Sequence, residues 1–252
     1  MESKYIHTSD VHNLAAPNVI VPYLVKTFDP MSVADVGCGL ATFLSVFKIN
    51  GVKDILGIDG SWVKKEQLFV SVSEFMEADL EKSYLLSRTF DLVLCLEVAE
   101  HLKEESADII VNNLVSLGNT IIFSAAVPNQ GGQNHLNEQD FSYWQEKFAK
   151  HDFHFYDIFR QKFWNTSEID WWYKQNMFLV AHSSVKFSDD VNEKRVIGKP
   201  LLFIHPETLA TRVSQLSNSN NQIEAIKNGK ISFSVYFTAL RKKTVNGIKK
   251  FF

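Results

Sequence analysis

Two hydrophobic periods take turns along this chain. Short, densely apolar runs fall at residues 32–36, 53–58, 75–77, 90–96, 120–124, 153–156 and 177–182, and each predicts a strand. Between them, apolar positions recur every three to four residues and predict helices over 19–28, 40–49, 104–117 and 137–150. The run Phe90-Asp91-Leu92-Val93-Leu94-Cys95-Leu96 is almost wholly apolar, as expected of a strand covered on both faces of a parallel sheet. Strands alternating with helices imply an α/β fold with a doubly wound, seven-stranded sheet. Such a sheet binds ligands at the carboxyl ends of its strands. Mixed charges and the break Gly198-Lys199-Pro200 mark 183–199 as a linker. That leaves one domain over 1–182 and a C-terminal extension over 183–252.

Composition changes this picture little. At 252 residues and 45% hydrophobic, the chain is long enough for one large domain with a full core. Its net charge of -3 gives no reason to expect DNA or another polyanion as a partner. The two cysteines, Cys38 and Cys95, sit in apolar segments, which excludes a disulfide framework and suits a reducing, cytoplasmic setting. The N-terminus shows no signal-peptide pattern, and no apolar run approaches a membrane span.

Candidate chemistry concentrates at the strand ends. Asp35-Val36-Gly37-Cys38-Gly39 closes the first strand directly before a helix. Gly37 and Gly39 permit a tight turn with positive φ and a close ligand approach, and the helix offers free N–H groups. A carboxylate at Asp35 repels pyrophosphate and attracts a cationic amine. The competing nicotinamide turn needs a third glycine at position 42, which is Thr42. Asp59-Gly60 closes the second strand, where a carboxylate can accept both hydroxyls of a ribose.

These residues resemble motif I and its acid ladder in the class I, Rossmann-like S-adenosyl-L-methionine (SAM)-dependent methyltransferases. The resemblance covers residues 1 to 182 and implies SAM as cofactor. It implies that Asp35, Gly37, Cys38, Gly39, Asp59 and Gly60 line the cofactor pocket. Asp79 and Leu80 would meet the adenine, and Leu96 and Glu97 the methionine end. An N-terminal segment containing Tyr5, His7 and His12 would fold over the cofactor as a lid.

Methyl transfer to an alcohol needs alignment and a base, and histidine suits the second task. His101 and His135 are the catalytic candidates, since both occupy strand-end loops around the expected pocket. Glu97-Val98-Ala99-Glu100-His101 is also similar to a motif with which some quinone and small-RNA O-methyltransferases hold a divalent metal, with His135 as an added ligand. The same string occurs in metal-free class I enzymes, so the metal question stays open. Gln130-Gly131-Gly132-Gln133-Asn134-His135 is adaptable, polar and uncharged, which suits a hydroxyl-rich ligand. With Tyr143-Trp144 and Trp171-Trp172-Tyr173 it resembles methyltransferases of bacterial capsule and lipopolysaccharide biosynthesis. The bland reading makes Asn137 the cap of a helix. Among the aromatic residues, Trp164 and Tyr173 are the better candidates to wall a sugar site.

From Lys227 to Phe252 seven basic residues and no acid are interleaved with apolar ones. Such a tail suits weak docking to an anionic membrane or to a glycosyltransferase. Packing on the domain with its lysines in solvent is the plainer role.

The leading expectation is therefore O-methylation of a small-molecule or glycan acceptor: a carbohydrate hydroxyl, or a phosphoryl or phosphoramidate group on it. The alternatives are metal-assisted methylation of a quinol or RNA 2′-hydroxyl, and a non-catalytic SAM-binding partner of a glycosyltransferase.

Overall fold

In a computed structural model of the chain, residues 13–230 are described. The lid segment with Tyr5, His7 and His12, and the tail beyond residue 230, lie outside that range.

Seven strands form one sheet in the order β3-β2-β1-β4-β5-β7-β6. They are β1 (Ser32–Val36), β2 (Asp54–Asp59), β3 (Phe75–Glu77), β4 (Leu92–Leu96), β5 (Thr120–Ser124), β6 (Phe153–Tyr156) and β7 (Phe178–His182). The first five run parallel, and β7 inserts antiparallel between β5 and β6. Strand order reverses between β1 and β4, which opens a crevice at their carboxyl ends.

Strand alternation divides the core in two. Val33, Leu92, Leu94, Ile122 and Leu179 face α1 (Ala15–Phe28) and α2 (Thr42–Ile49). Ala34, Val93, Cys95, Ile121 and Phe178 face α3 (Ala107–Leu117) and α4 (Phe141–Ala149). Each large apolar side chain withdrawn from water contributes about 1.5–3 kcal/mol, and these strands are covered on both faces. Helix α1 stops because Asp29 turns left-handed, its N–H returning to the carbonyl of Val25, just before Pro30.

Two expectations need correction. Helix α4 begins at Phe141, not at residue 137, and Asp140 occupies its N-cap position in extended conformation. The backbone N–H groups of Leu136 and Asn137 instead donate to the carbonyl of Glu100, so Asn137 caps nothing and is buried. The expected linker is also stitched down. Val196 donates its N–H to Phe155, Asp157 donates to Lys194, and Tyr156 bridges Arg195. The first compact unit accordingly runs to His205 rather than to residue 182. The second begins at Pro206 and contains the helix Pro206–Lys227. Among the described residues no helix is long and apolar enough to cross a membrane.

Candidate active site

The glycine turn is held from below. The N–H groups of Gly37 and Cys38 both donate to the carbonyl of Ile58, at 2.7 and 3.3 Å, fastening the turn to the end of β2. Gly37 has φ +78°, and a Cβ there would lie 2.3 Å from Cγ2 of Val98. Only glycine meets both demands. Ala41 follows with φ 62°, and α2 starts at the next residue.

Asp59 ties the two glycine turns together. Its Oδ2 accepts from Gly39 N–H at 2.7 Å and its Oδ1 from Gly60 N–H at 2.6 Å. Burial pushes its carboxyl up to about 6, against the pull of those amides and of the Trp62 side chain. Three donors leave one lone-pair position open, so Asp59 both sets the turn and can receive a ribose hydroxyl. Asp35 is also buried, and its carboxyl is pushed up to about 8, first by desolvation and then by the charge of Asp59. A buried carboxyl of this kind favours a cationic neighbour.

These groups open into a cavity of about 590 Å3 at the carboxyl ends of the parallel strands. Asp35, Gly37, Cys38, Gly39, Asp59, Asp79, Leu80, Leu96 and Glu97 all line it, as do His101 and His135. Gly60 does not: the ring of Trp62 lies against it, with Cη2 2.2 Å from where a Cβ would stand. Trp62, which reading the sequence missed, lines the cavity in its place. Tyr173 lines the wall together with Trp171 and Trp172, whereas Trp164 is turned away and packs on His205.

Glu97 leaves β4 with φ 54°, an unfavourable backbone for a residue with a Cβ. Its carboxylate is partly buried and clasped. Nδ2 of Asn176 donates to both oxygens at 3.1 and 3.2 Å, and Nε2 of Gln130 donates at 3.1 Å. Desolvation raises its carboxyl even so. Gln130 lies in the loop after β5 and Asn176 ends the helix Trp171–Asn176, both far along the chain from Glu97, and nothing in the sequence marks them as its partners.

The E-x-x-E-H string does not converge as a unit. Glu100, His101 and His135 present ligand atoms within 4.8 Å of one another, whereas Glu97 is held by its two amides. Glu100 is fully buried, and only the backbone amides of Glu100 itself and of Ala126 weigh against that burial. Burial and the charge of Glu97 raise its carboxyl well above the usual range. Burial and the neighbouring His135 lower His101 to about 4, so its ring is neutral near pH 7. A protonated Glu100 needs no cation to offset it.

Seven carboxyl groups line the cavity (Asp35, Asp59, Asp79, Glu81, Glu97, Glu100 and Asp170), with no lysine or arginine among the described lining residues.

A doubly wound sheet with a glycine turn and acids at successive strand ends defines a nucleoside-binding α/β protein. The methyltransferase-domain family matches residues 9–176, more than half of the sequence, and the chain belongs to it. That membership agrees with the enzyme class and the methyl donor expected from the glycine turn. Among solved structures, DesVI from Streptomyces venezuelae is similar at 12% identity and a TM-score of 0.51, over 71% of this chain and 100% of that one. PKMT2 from Rickettsia typhi is similar at 12% and 0.51, over 69% and 54%. An O-methyltransferase family protein from Burkholderia thailandensis aligns at 10% and 0.49, over 66% and 56%, so this chain spans little more than half of its length. These likenesses establish the fold alone. No curated protein matches the chain by sequence.

Proposed function

We propose that this protein is a SAM-dependent O-methyltransferase whose acceptor is an uncharged, hydroxyl-rich molecule such as a carbohydrate. The observation that carries the reading is a cavity in which the Asp35–Asp59 turn, the aromatic wall and His135 meet.

The residues fit the cofactor. The buried carboxyl of Asp35 favours the donor's cationic end, Asp59 the ribose, and Asp79 with Leu80 the adenine. SAM supplies an electrophilic methyl group on a sulfonium. The protein's part is alignment and proton removal. His135 accepts the hydroxyl proton while the acceptor oxygen bonds to the methyl carbon and the carbon–sulfur bond breaks. Trp171, Trp172 and Tyr173 offer flat apolar faces on which a sugar ring can lie.

Seven carboxyl groups with no described basic residue disfavour a phosphoryl-bearing acceptor or an RNA backbone. They fit a neutral polyol. The clasp on Glu97 favours a reaction without metal over the quinol or RNA alternative. A role in capsule or lipopolysaccharide assembly rests on the resemblance of the 130–135 loop.

The test has two stages. Calorimetry should show S-adenosylhomocysteine binding that Asp59→Ala loses. Transfer of labelled methyl from SAM to a panel of neutral and phosphorylated saccharides should then favour the neutral ones, resist EDTA, and disappear in His135→Ala. Absence of S-adenosylhomocysteine binding by the native protein would refute the proposal.

A further inference from the structure

His135 does not stand alone in its loop. Its Nδ1 lies 2.8 Å from Oε1 of Glu138, and both side chains are largely buried, 11% and 18% exposed. The same Oε1 accepts the N–H of Gly131, which fixes the carboxylate from the other side. A carboxylate can only accept, so its bond to the imidazole places the ring proton on Nδ1. Nε2 then carries the lone pair. Gly132 passes directly beneath it: a Cβ there would lie 2.1 Å from Nε2 and 2.5 Å from Cε1. No positive φ is required at Gly132, so the absent side chain, not backbone freedom, is what the site uses.

We propose that Glu138 is a positioning residue that locks His135 in the Nδ1–H tautomer, and that Gly132 keeps Nε2 open to the acceptor hydroxyl. The inference rests on the reading of His135 as the base. A free imidazole prefers its proton on Nε2, which would leave the lone pair on Nδ1, facing Glu138. Holding the proton on Nδ1 leaves the Nε2 lone pair of the neutral ring to act as the base. The loop thus carries its own orienting group three residues from the base, joined through the Leu136 and Asn137 bonds to Glu100 in the turn that follows β4.

The test reads the tautomer directly and needs no acceptor. Long-range proton–nitrogen correlation of the full chain, with His135→Gln identifying the signals, should show Nδ1 protonated and Nε2 bare. Glu138→Gln keeps an accepting oxygen and should retain this pattern, whereas Glu138→Ala should move the proton to Nε2. Once an acceptor is in hand, Glu138→Ala and Gly132→Ala should each lower kcat by about 10²-fold, the lower range for a general base. S-adenosylhomocysteine affinity should stay unchanged in both, and Glu138→Gln should recover most of the rate. A native ring protonated on Nε2, or a tautomer indifferent to Glu138→Ala, overturns the proposal. Methyl transfer surviving in His135→Ala would sink the base reading while leaving the tautomer result standing, so the two failures are distinguishable.

Discussion

At the scale of single residues, the site trades stability for binding. Asp35 titrates near 8 in the folded protein, against an ordinary aspartate value of 3.8. The folded state therefore holds a proton that the unfolded chain has released, and stability from this group falls as pH rises from about 4 to about 8. Asp59, near 6, acts in the same direction over a narrower window. Asp35→Asn should leave the melting temperature unchanged near pH 4 and raise it progressively towards pH 8 by scanning fluorimetry. The same variant should weaken S-adenosylhomocysteine binding. In the native protein that affinity should climb with pH up to about 8, by as much as tenfold per unit, because the cationic ligand wants Asp35 ionised. In Asp35→Asn the slope from this group should vanish. A melting curve that falls on substitution at pH 8 would show that the carboxyl is already satisfied without ligand.

Between elements, two joints carry the site. The first is the packing of Gly37 on Val98, which sets the glycine turn against the exit of β4. Gly37→Ala should abolish S-adenosylhomocysteine binding and cost about 1–3 kcal/mol, the range for a strained backbone. Adding Val98→Ala should return part of that loss by relieving the clash but not the φ of +78°. The second joint ties the helix Trp171–Asn176 to the end of β4 through the Asn176–Glu97 bonds. Asn176→Ala strips the Glu97 carboxylate of a bond shared between its oxygens and Gln130 of another, and should cost about 1–3 kcal/mol in urea titrations. These joints explain what the sequence could and could not reveal. The strands, the Asp35 turn and the acids at 59 and 79 were legible because each is written in contiguous residues with its own period. Asn176 and Gln130 were not, because they meet Glu97 across 79 and 33 positions. The start of α4 was misread for a related reason. Asn137-Glu138-Gln139 has the composition of a helix's first turn, but long-range bonds to Glu100 hold its backbone elsewhere. Glu138, which that composition puts in a helix's first turn, faces His135 instead.

For the whole molecule, the question is where the cooperative unit ends. The stretch after β7 looks polar and broken, and reading it as a linker treated β6 as a bare edge. Strand edges are seldom left so. Val196 and Arg195 cover β6, Val191 is buried, and the Arg160 guanidinium donates to the carbonyl of Leu201 at 2.7 Å. Arg160 itself is only 2% exposed and is paired with Asp157, so removing Leu201 leaves a buried cation short of an acceptor. His205 closes the unit by donating its N–H to Oε1 of Gln175, beside the Asn176 that clasps Glu97. The path from residue 205 to the cavity is thus one chain of hydrogen bonds. A protein ending at residue 205 should unfold in one transition and bind S-adenosylhomocysteine as the full chain does. One ending at residue 182 should lose cooperative unfolding or solubility, and its S-adenosylhomocysteine affinity should fall even where secondary structure persists. Equal affinity and equal melting in the two truncations would show that the cover over β6 and the Gln175 bond are ornamental, and would return the boundary to the end of β7.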